Sequence, residues 1–207
     1  MYLANDESSD NILKLLRHQT LYSFIEDVLE RKIYGAFAEC GCWKGRSLFA
    51  TNKLLKKHNS DKTIFVFDSF EAGLSEFKAH DKNLLNSKQR KSISEVFSSS
   101  FKILQESLQN EKNIVLRKGW IPEIFKEEEN REYAFVHIDV DMYEPTLTAH
   151  KYFFERLNPG GIIVCDDYGY RDFPGAKKAV DEFLSNLDKN SYSHFFKTST
   201  GQSVLIK

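Results

Sequence analysis

Apolar residues recur along this chain with two alternating periods, and the alternation predicts an α/β architecture. Leu21, Phe24, Ile25, Val28, Leu29 and Ile33 stand at helical spacing, which predicts an amphipathic helix over 21–33. Ala36 to Cys40 is a short apolar strand ending at Gly41, and from Gly45 a helical pattern carrying Leu48 and Leu55 runs to Lys57. Thr63 to Phe67 is a continuous β-branched and aromatic run closed by Asp68, the pattern of a strand covered on both faces. Residues 71–92 are charged and weakly periodic, suiting a surface excursion or lid, and a helix is expected from Ser94 to Gln109. Further strands are expected over Asn113 to Leu116, Tyr133 to Val140 and Ile162 to Cys165, with a short helix after Pro122. Glu144 to Leu157 forms a helix that Pro159-Gly160-Gly161 ends, and Ala176, Ala179, Val180, Phe183, Leu184 and Leu187 make the clearest helical stripe. His194 to Thr198 and Ser203 to Ile206 flank a Thr200-Gly201 turn, a hairpin that adds an antiparallel strand.

Strands alternating with helices imply a single doubly wound α/β unit, a mostly parallel seven-stranded sheet with helices on both faces. With 207 residues and 41% hydrophobic content the chain can bury one large core but hardly two. Residues 1–34 are expected as a helical segment packed on the core, and 35–207 as its body. Lys plus Arg number 29 against 30 Asp plus Glu, so no global field favours nucleic acid or an anionic membrane, and a small-molecule partner is expected. No apolar run approaches the ~20 residues of a membrane span, and Met1 to Asp10 is polar, so a cytoplasmic location is expected. Cys40, Cys42 and Cys165 are an odd set inside apolar runs, which reads as buried thiols rather than disulfides or a zinc site. A homo-oligomer is compatible with all of this.

In an open α/β sheet, ligands bind beyond the carboxyl ends of the strands, and unusual residues gather there. The first strand ends in Glu39-Cys40-Gly41-Cys42-Trp43-Lys44-Gly45-Arg46-Ser47, where glycines permit close backbone approach and the following helix offers unpaired N–H groups. Asp68, closing the second strand, could accept hydrogen bonds from both ribose hydroxyls of a nucleoside cofactor, or simply cap a turn. The strongest feature is acidic. His137-Ile138-Asp139-Val140-Asp141 ends the fourth strand and Asp166-Asp167-Tyr168 the fifth, so several carboxylates converge and either call for a hard divalent cation or cap helices and face water.

On these residues the chain resembles the macrocin O-methyltransferase (TylF) family. The motifs are Glu39-x-Gly41-x-Trp43-x-Gly45-x-Ser47, Asp68-Ser69-Phe70-Glu71, Gly119-Trp120-x-Pro122-Glu123, and the run from His137 to Thr146. They continue through Leu157-x-Pro159-Gly160-Gly161, Asp166-Asp167-Tyr168 and the segment Gly175 to Phe183. The resemblance implies a Rossmann-like, class I methyltransferase domain using S-adenosylmethionine and Mg²⁺ or another hard divalent ion to methylate a sugar hydroxyl. It places Glu39, Gly41, Trp43, Gly45 and Ser47 at the methionine end of the cofactor, Asp68 and Ser69 at the ribose, and Gly119 and Trp120 beside the adenine. It assigns the metal to Asp139, Asp166 and Asp167, gives Asp139 a cofactor contact as well, and leaves Asp141 to brace the loop. The first motif also resembles that of catechol and caffeoyl-CoA O-methyltransferases, so a catechol-like acceptor is the alternative.

Methyl transfer to oxygen is an in-line displacement that needs an aligned, electron-rich nucleophile, and a metal-bound hydroxyl supplies one. Asp139 is the candidate to receive its proton, while His137 on the same strand reads as a packed or hydrogen-bonded histidine. A nicotinamide oxidoreductase would want a G-x-G-x-x-G turn that residues 39–47 lack. An aspartyl phosphatase would place its DxD after an early strand rather than the fourth, and the intact acids argue against a non-catalytic nucleotide-binding relic.

Overall fold

Five strands pair in parallel, the central ones largely apolar on both faces: β1 (Ala36–Cys40), β2 (Ile64–Asp68), β3 (Ile114–Lys118), β4 (Tyr133–Ile138) and β5 (Leu157–Cys165). The hairpin of β6 (His194–Lys197) and β7 (Ser203–Ile206) completes a seven-stranded sheet of order β3-β2-β1-β4-β5-β7-β6. β7 runs antiparallel to both of its neighbours. The strand order therefore reverses between β1 and β4, and ligands of such sheets collect at that crevice. These features belong to a computed structural model describing residues 9–71, 74, 75, 79–81, 95–128, 130–170 and 173–207.

Alternation along the strands divides the core into two layers. Phe37, Ile64, Val66, Phe135, Ile162 and Val164 face α1 (Ser9–Glu30), α2 (Arg46–Lys57) and α3 (Phe101–Ser107). Ala38, Cys40, Phe65, Phe67, Val136, Ile138 and Ile163 face α4 (Tyr143–Arg156) and α5 (Pro174–Ser185). In the second layer Phe153 is fully buried, its ring set edge-on to Phe67, Phe125 and Tyr133. A side chain buried to this degree contributes about 2–3 kcal/mol. Cys40, Cys42 and Cys165 are buried and unpaired, as the sequence implies, and burial pushes all three thiols up, out of reach of ready ionisation. Among the described residues no helix is long and apolar enough to cross a membrane.

Three boundaries differ from the sequence reading. The first helix starts at Ser9 rather than near 21, and it stops before Ile33. Its end is a Schellman turn: Ile33 N–H donates to the Val28 carbonyl, Lys32 N–H to that of Leu29, and Lys32 takes a left-handed φ of 54°. Ile33 packs in the same layer as Val28, so its apolar spacing reports the turn and not another helical residue. Pro159-Gly160-Gly161 does not precede β5 but lies within it as a bulge, between the pairs Tyr133↔Leu157 and Phe135↔Ile162. The helix expected from Ser94 to Gln109 is interrupted: residues 95–96 are helical, 97–100 break the helix, and a separate one runs over Phe101–Ser107, where Ser100 Oγ caps it by accepting the Ile103 N–H. Most of the excursion expected over 71–92 lies outside the described residues.

Candidate functional site

The β1–α2 turn is shaped by one close approach. A Cβ on Gly41, whose φ is +79°, would stand 1.9 Å from the Asp139 carbonyl oxygen, so only glycine lets the ends of β1 and β4 meet. Asp68 secures this turn from the neighbouring strand. Its Oδ2 accepts the backbone N–H of Cys42 (2.9 Å) and of Trp43 (3.1 Å), and its Oδ1 accepts that of Phe70 (2.7 Å). Trp43, held at a left-handed φ of 47°, donates its indole N–H to the Val96 carbonyl at 3.1 Å and sets its ring edge-on to Phe97.

A cleft opens over these strand ends, lined among others by Gly41, Trp43, Asp68, Ser69, Gly119, Trp120 and Asp139, together with Phe97 and Asp141. Seven of the ten residues expected at a cofactor thus share one wall. Glu39, Gly45 and Ser47 do not line it. Glu39 and Ser47 are buried beneath, where the serine hydroxyl donates to the Glu39 carboxylate, and Gly45 is the left-handed residue before α2 (φ 80°). Asp68 spends three of its roughly four acceptor positions on backbone amides, leaving room for one ribose hydroxyl rather than two.

The acidic residues gather around Asp139, on β4, β5 and the loops that follow them, and of these Asp139 and Asp141 line the cleft. His137 Nε2 lies 3.2 Å from Asp166 Oδ1 and its Nδ1 3.5 Å from Glu39 Oε1. Oδ1 of Asp166 also accepts the Gln202 amide at 2.6 Å, and Arg17 reaches across from α1 to Oδ2 at 2.6 Å. Asp167 Oδ2 accepts the backbone N–H of Asp141 (2.9 Å), which ties the loops after β4 and β5 together around the left-handed φ of Asp141. His137, Asp139 and Asp166 can bring one ligand atom each within 4.8 Å of one another. Asp167 falls outside that group, turned toward the Asp141 amide.

Electrostatically the cluster is divided. Burial would raise the Asp166 carboxyl, but the His137 hydrogen bond and the charges of His137 and Arg17 outweigh it and hold Asp166 well below its ordinary value. Burial likewise opposes charge on His137, yet its contacts with Asp166 and Glu39 push the imidazole above its usual value. Asp139 and Asp141 are pushed far up by burial and by Asp167, and Asp167 is pushed up to about 6 by burial and by Asp166. Burial and crowding thus oppose the ionisation of Asp139, Asp141 and Asp167, an opposition that a nearby cation would relieve. A hard divalent cation fits the oxygens of Asp139 and Asp166, beside which His137 lies close enough to offer a ring nitrogen.

Three contributors carried no sequence signal. Arg17 follows the largely apolar run Ile12–Leu16 in a segment without a motif, Gln202 sits in a hairpin turn, and Phe97 lies in a segment read only as a helix.

The geometry has counterparts among known proteins. Residues 12–191 match the model of the family described as macrocin O-methyltransferase (TylF). A demethyldecarbamoylnovobiocin O-methyltransferase of Streptomyces niveus is 23% identical over 192 residues, covering 87% of this chain and 70% of that one. An 8-demethyl-8-(2,3-dimethoxy-α-L-rhamnosyl)-tetracenomycin-C 4′-O-methyltransferase of Streptomyces olivaceus is 25% identical over 159 residues, 74% of this chain and 60% of its own length. The solved structure of the O-methyltransferase NovP superposes with a TM-score of 0.75 at 21% identity, over 92% of this chain and 79% of that chain.

Proposed function

The chain belongs to the macrocin O-methyltransferase family, and from that premise we propose that it transfers a methyl group from S-adenosylmethionine to a sugar hydroxyl of a small molecule with the help of a divalent metal. The observation that carries the reading is the position of Asp139. It lines the cleft framed by Gly41, Trp43, Asp68 and Trp120, and its carboxyl lies within the acidic cluster, so a cofactor in the first would face a hydroxyl held at the second. Asp139 and Asp166 would hold the ion, and Asp167 would join them by turning from the Asp141 amide. When bound, the cofactor supplies the methyl group and the ion supplies Lewis acidity that lowers the pKa of the hydroxyl.

The chain's own residues do the rest. Gly41 and the amides of the β1–α2 turn, braced by Asp68, shape the floor on which the methionine end rests. Trp43 and Trp120, each more than a third exposed, offer apolar faces that exclude water from the cleft. The Asp139 carboxylate, through an oxygen not bound to the ion, would receive the proton of the acceptor hydroxyl. The tetracenomycin relative is named for methylation of a sugar, which supports a sugar hydroxyl here. Buried, unpaired thiols and near-zero net charge suit a cytosolic setting. The test is methyl transfer from labelled S-adenosylmethionine to a panel of glycosides and sugar nucleotides, with Mg²⁺ and with excess EDTA. Turnover that survives EDTA undiminished removes the metal from the reading, and absence of S-adenosylhomocysteine binding by calorimetry removes the cofactor.

A further inference from the structure

Arg17 lies outside every motif that carries the family resemblance, yet its guanidinium is lodged among the carboxylates. Nη2 stands 2.6 Å from Asp166 Oδ2, 2.8 Å from the Asp166 carbonyl oxygen and 3.9 Å from Asp167 Oδ1, with the group over the Tyr170 ring at 5.9 Å from its centroid. Oδ1 of Asp166 is already engaged by His137 and Gln202. The oxygen left for an incoming ion is thus the one that Arg17 occupies. The pair is only 16% and 15% exposed, so solvent screens it weakly, and an ion on Oδ2 would place a double positive charge beside a single one. Proton loss cannot relieve the conflict, because a guanidinium keeps its proton throughout the working pH range.

We infer that Arg17 is a built-in competitor for the divalent ion and sets the affinity of the centre, the metal entering only as the Arg17–Asp166 pair opens. This rests on the metal-dependent reading above. The helix that carries Arg17 is built to permit the opening. α1 is anchored by Leu21, Ile25, Val28 and Leu29, all buried and all C-terminal to Arg17. On the other side Ile12, Leu13, Leu15 and Leu16 are 43–62% exposed, so displacing this half of α1 uncovers little apolar surface. What is lost is the ion pair, the hydrogen bond to the Asp166 carbonyl and the contact with Tyr170, and what is gained is a ligand position on Asp166.

The experiment is calorimetric titration of the full chain with MgCl₂ alone, for the wild type, Arg17→Gln and Arg17→Lys, beside hydrogen exchange of the wild type with and without Mg²⁺. Arg17→Gln should bind Mg²⁺ about tenfold tighter or more, the worth of a partly buried charge removed from beside the ion. Arg17→Lys, which keeps the charge, should stay within about threefold of wild type. In the wild type Mg²⁺ should speed exchange over residues 12–20 and leave 21–30 unchanged, a readout that stands even if a variant misfolds. Equal or weaker Mg²⁺ binding by Arg17→Gln, or slowed exchange over 12–20, overturns the inference while leaving the metal centre in place. No Mg²⁺ binding by wild type or Arg17→Gln overturns the metal reading and the inference with it.

Discussion

Asp68 was expected to serve a ribose, and the structure gives it a second duty whose loss can be weighed. Replacing it with alanine removes three backbone-to-carboxylate hydrogen bonds, from Cys42, Trp43 and Phe70. Bonds to a charged acceptor are each worth about 1.5–3 kcal/mol when buried and nearer 1 kcal/mol where water can replace the partner. Trp43 is 38% exposed, and the site opens on a cleft, so the lower figure applies and the total is on the order of 3 kcal/mol. That is a large part of the stability of a domain this size. Trp43 would also lose what holds its left-handed backbone in place. Asp68→Ala should therefore lower the denaturant midpoint markedly and weaken S-adenosylhomocysteine binding, the first measured by chemical unfolding without ligand and the second by calorimetry. Asp68→Asn should fall between wild type and alanine, since its amide can accept from Phe70 but opposes the Cys42 and Trp43 donors. If Asp68→Ala weakens the ligand yet unfolds at the wild-type midpoint, the carboxylate does not build the turn and the reasoning fails.

Other expectations follow from the same geometry. Gly41→Ala should cost at least about 2 kcal/mol in thermal or chemical unfolding, because a Cβ 1.9 Å from a backbone oxygen at φ +79° cannot be absorbed by a side-chain shift. Asp139→Asn should reduce turnover by on the order of 10²–10⁴ while leaving the melting temperature equal or higher, since it removes one buried like charge; retained turnover would take the proton-accepting role from Asp139. Asp167 is raised from 3.8 to about 6 in the fold, so its contribution to stability is complete below pH about 4 and is lost as pH rises through about 6. The metal-free protein should accordingly lose melting temperature across that window, and saturating Mg²⁺ should flatten the loss; a melting temperature that rises from pH 4 to 6 in EDTA would contradict the crowding described here.

The parallel sheet, its hairpin and the residues of the cleft were legible because each leaves a local trace. Strands buried on both faces are unbroken apolar runs, and the glycines and acids stand at strand ends where ligands of this architecture bind. What was not legible depended on packing between distant segments. Ile33 has helical spacing but belongs to a Schellman turn, and Pro159-Gly160-Gly161 reads as a stop signal but is tolerated as a bulge because β4 and β7 pair around it. Arg17 and Gln202 reach Asp166 across 149 and 36 residues of chain, a convergence without any sequence period. The split of the carboxylates into one strongly acidic member and several reluctant ones likewise depends on which cations fold against them.

The place of β7 bears on how the molecule is made. It is the last strand in the sequence, yet it is inserted between β5 and β6, and it alone covers the far edge of β5. Until Ser203–Ile206 has left the ribosome, Ile162, Ile163, Val164 and Cys165 present an open apolar edge, the kind of template on which nascent chains pair with the wrong partner. The same event delivers Gln202 to Asp166. Closure of the sheet and completion of the acidic centre are therefore one step of biosynthesis, so a chain cut short before residue 202 has neither a sealed edge nor a finished site.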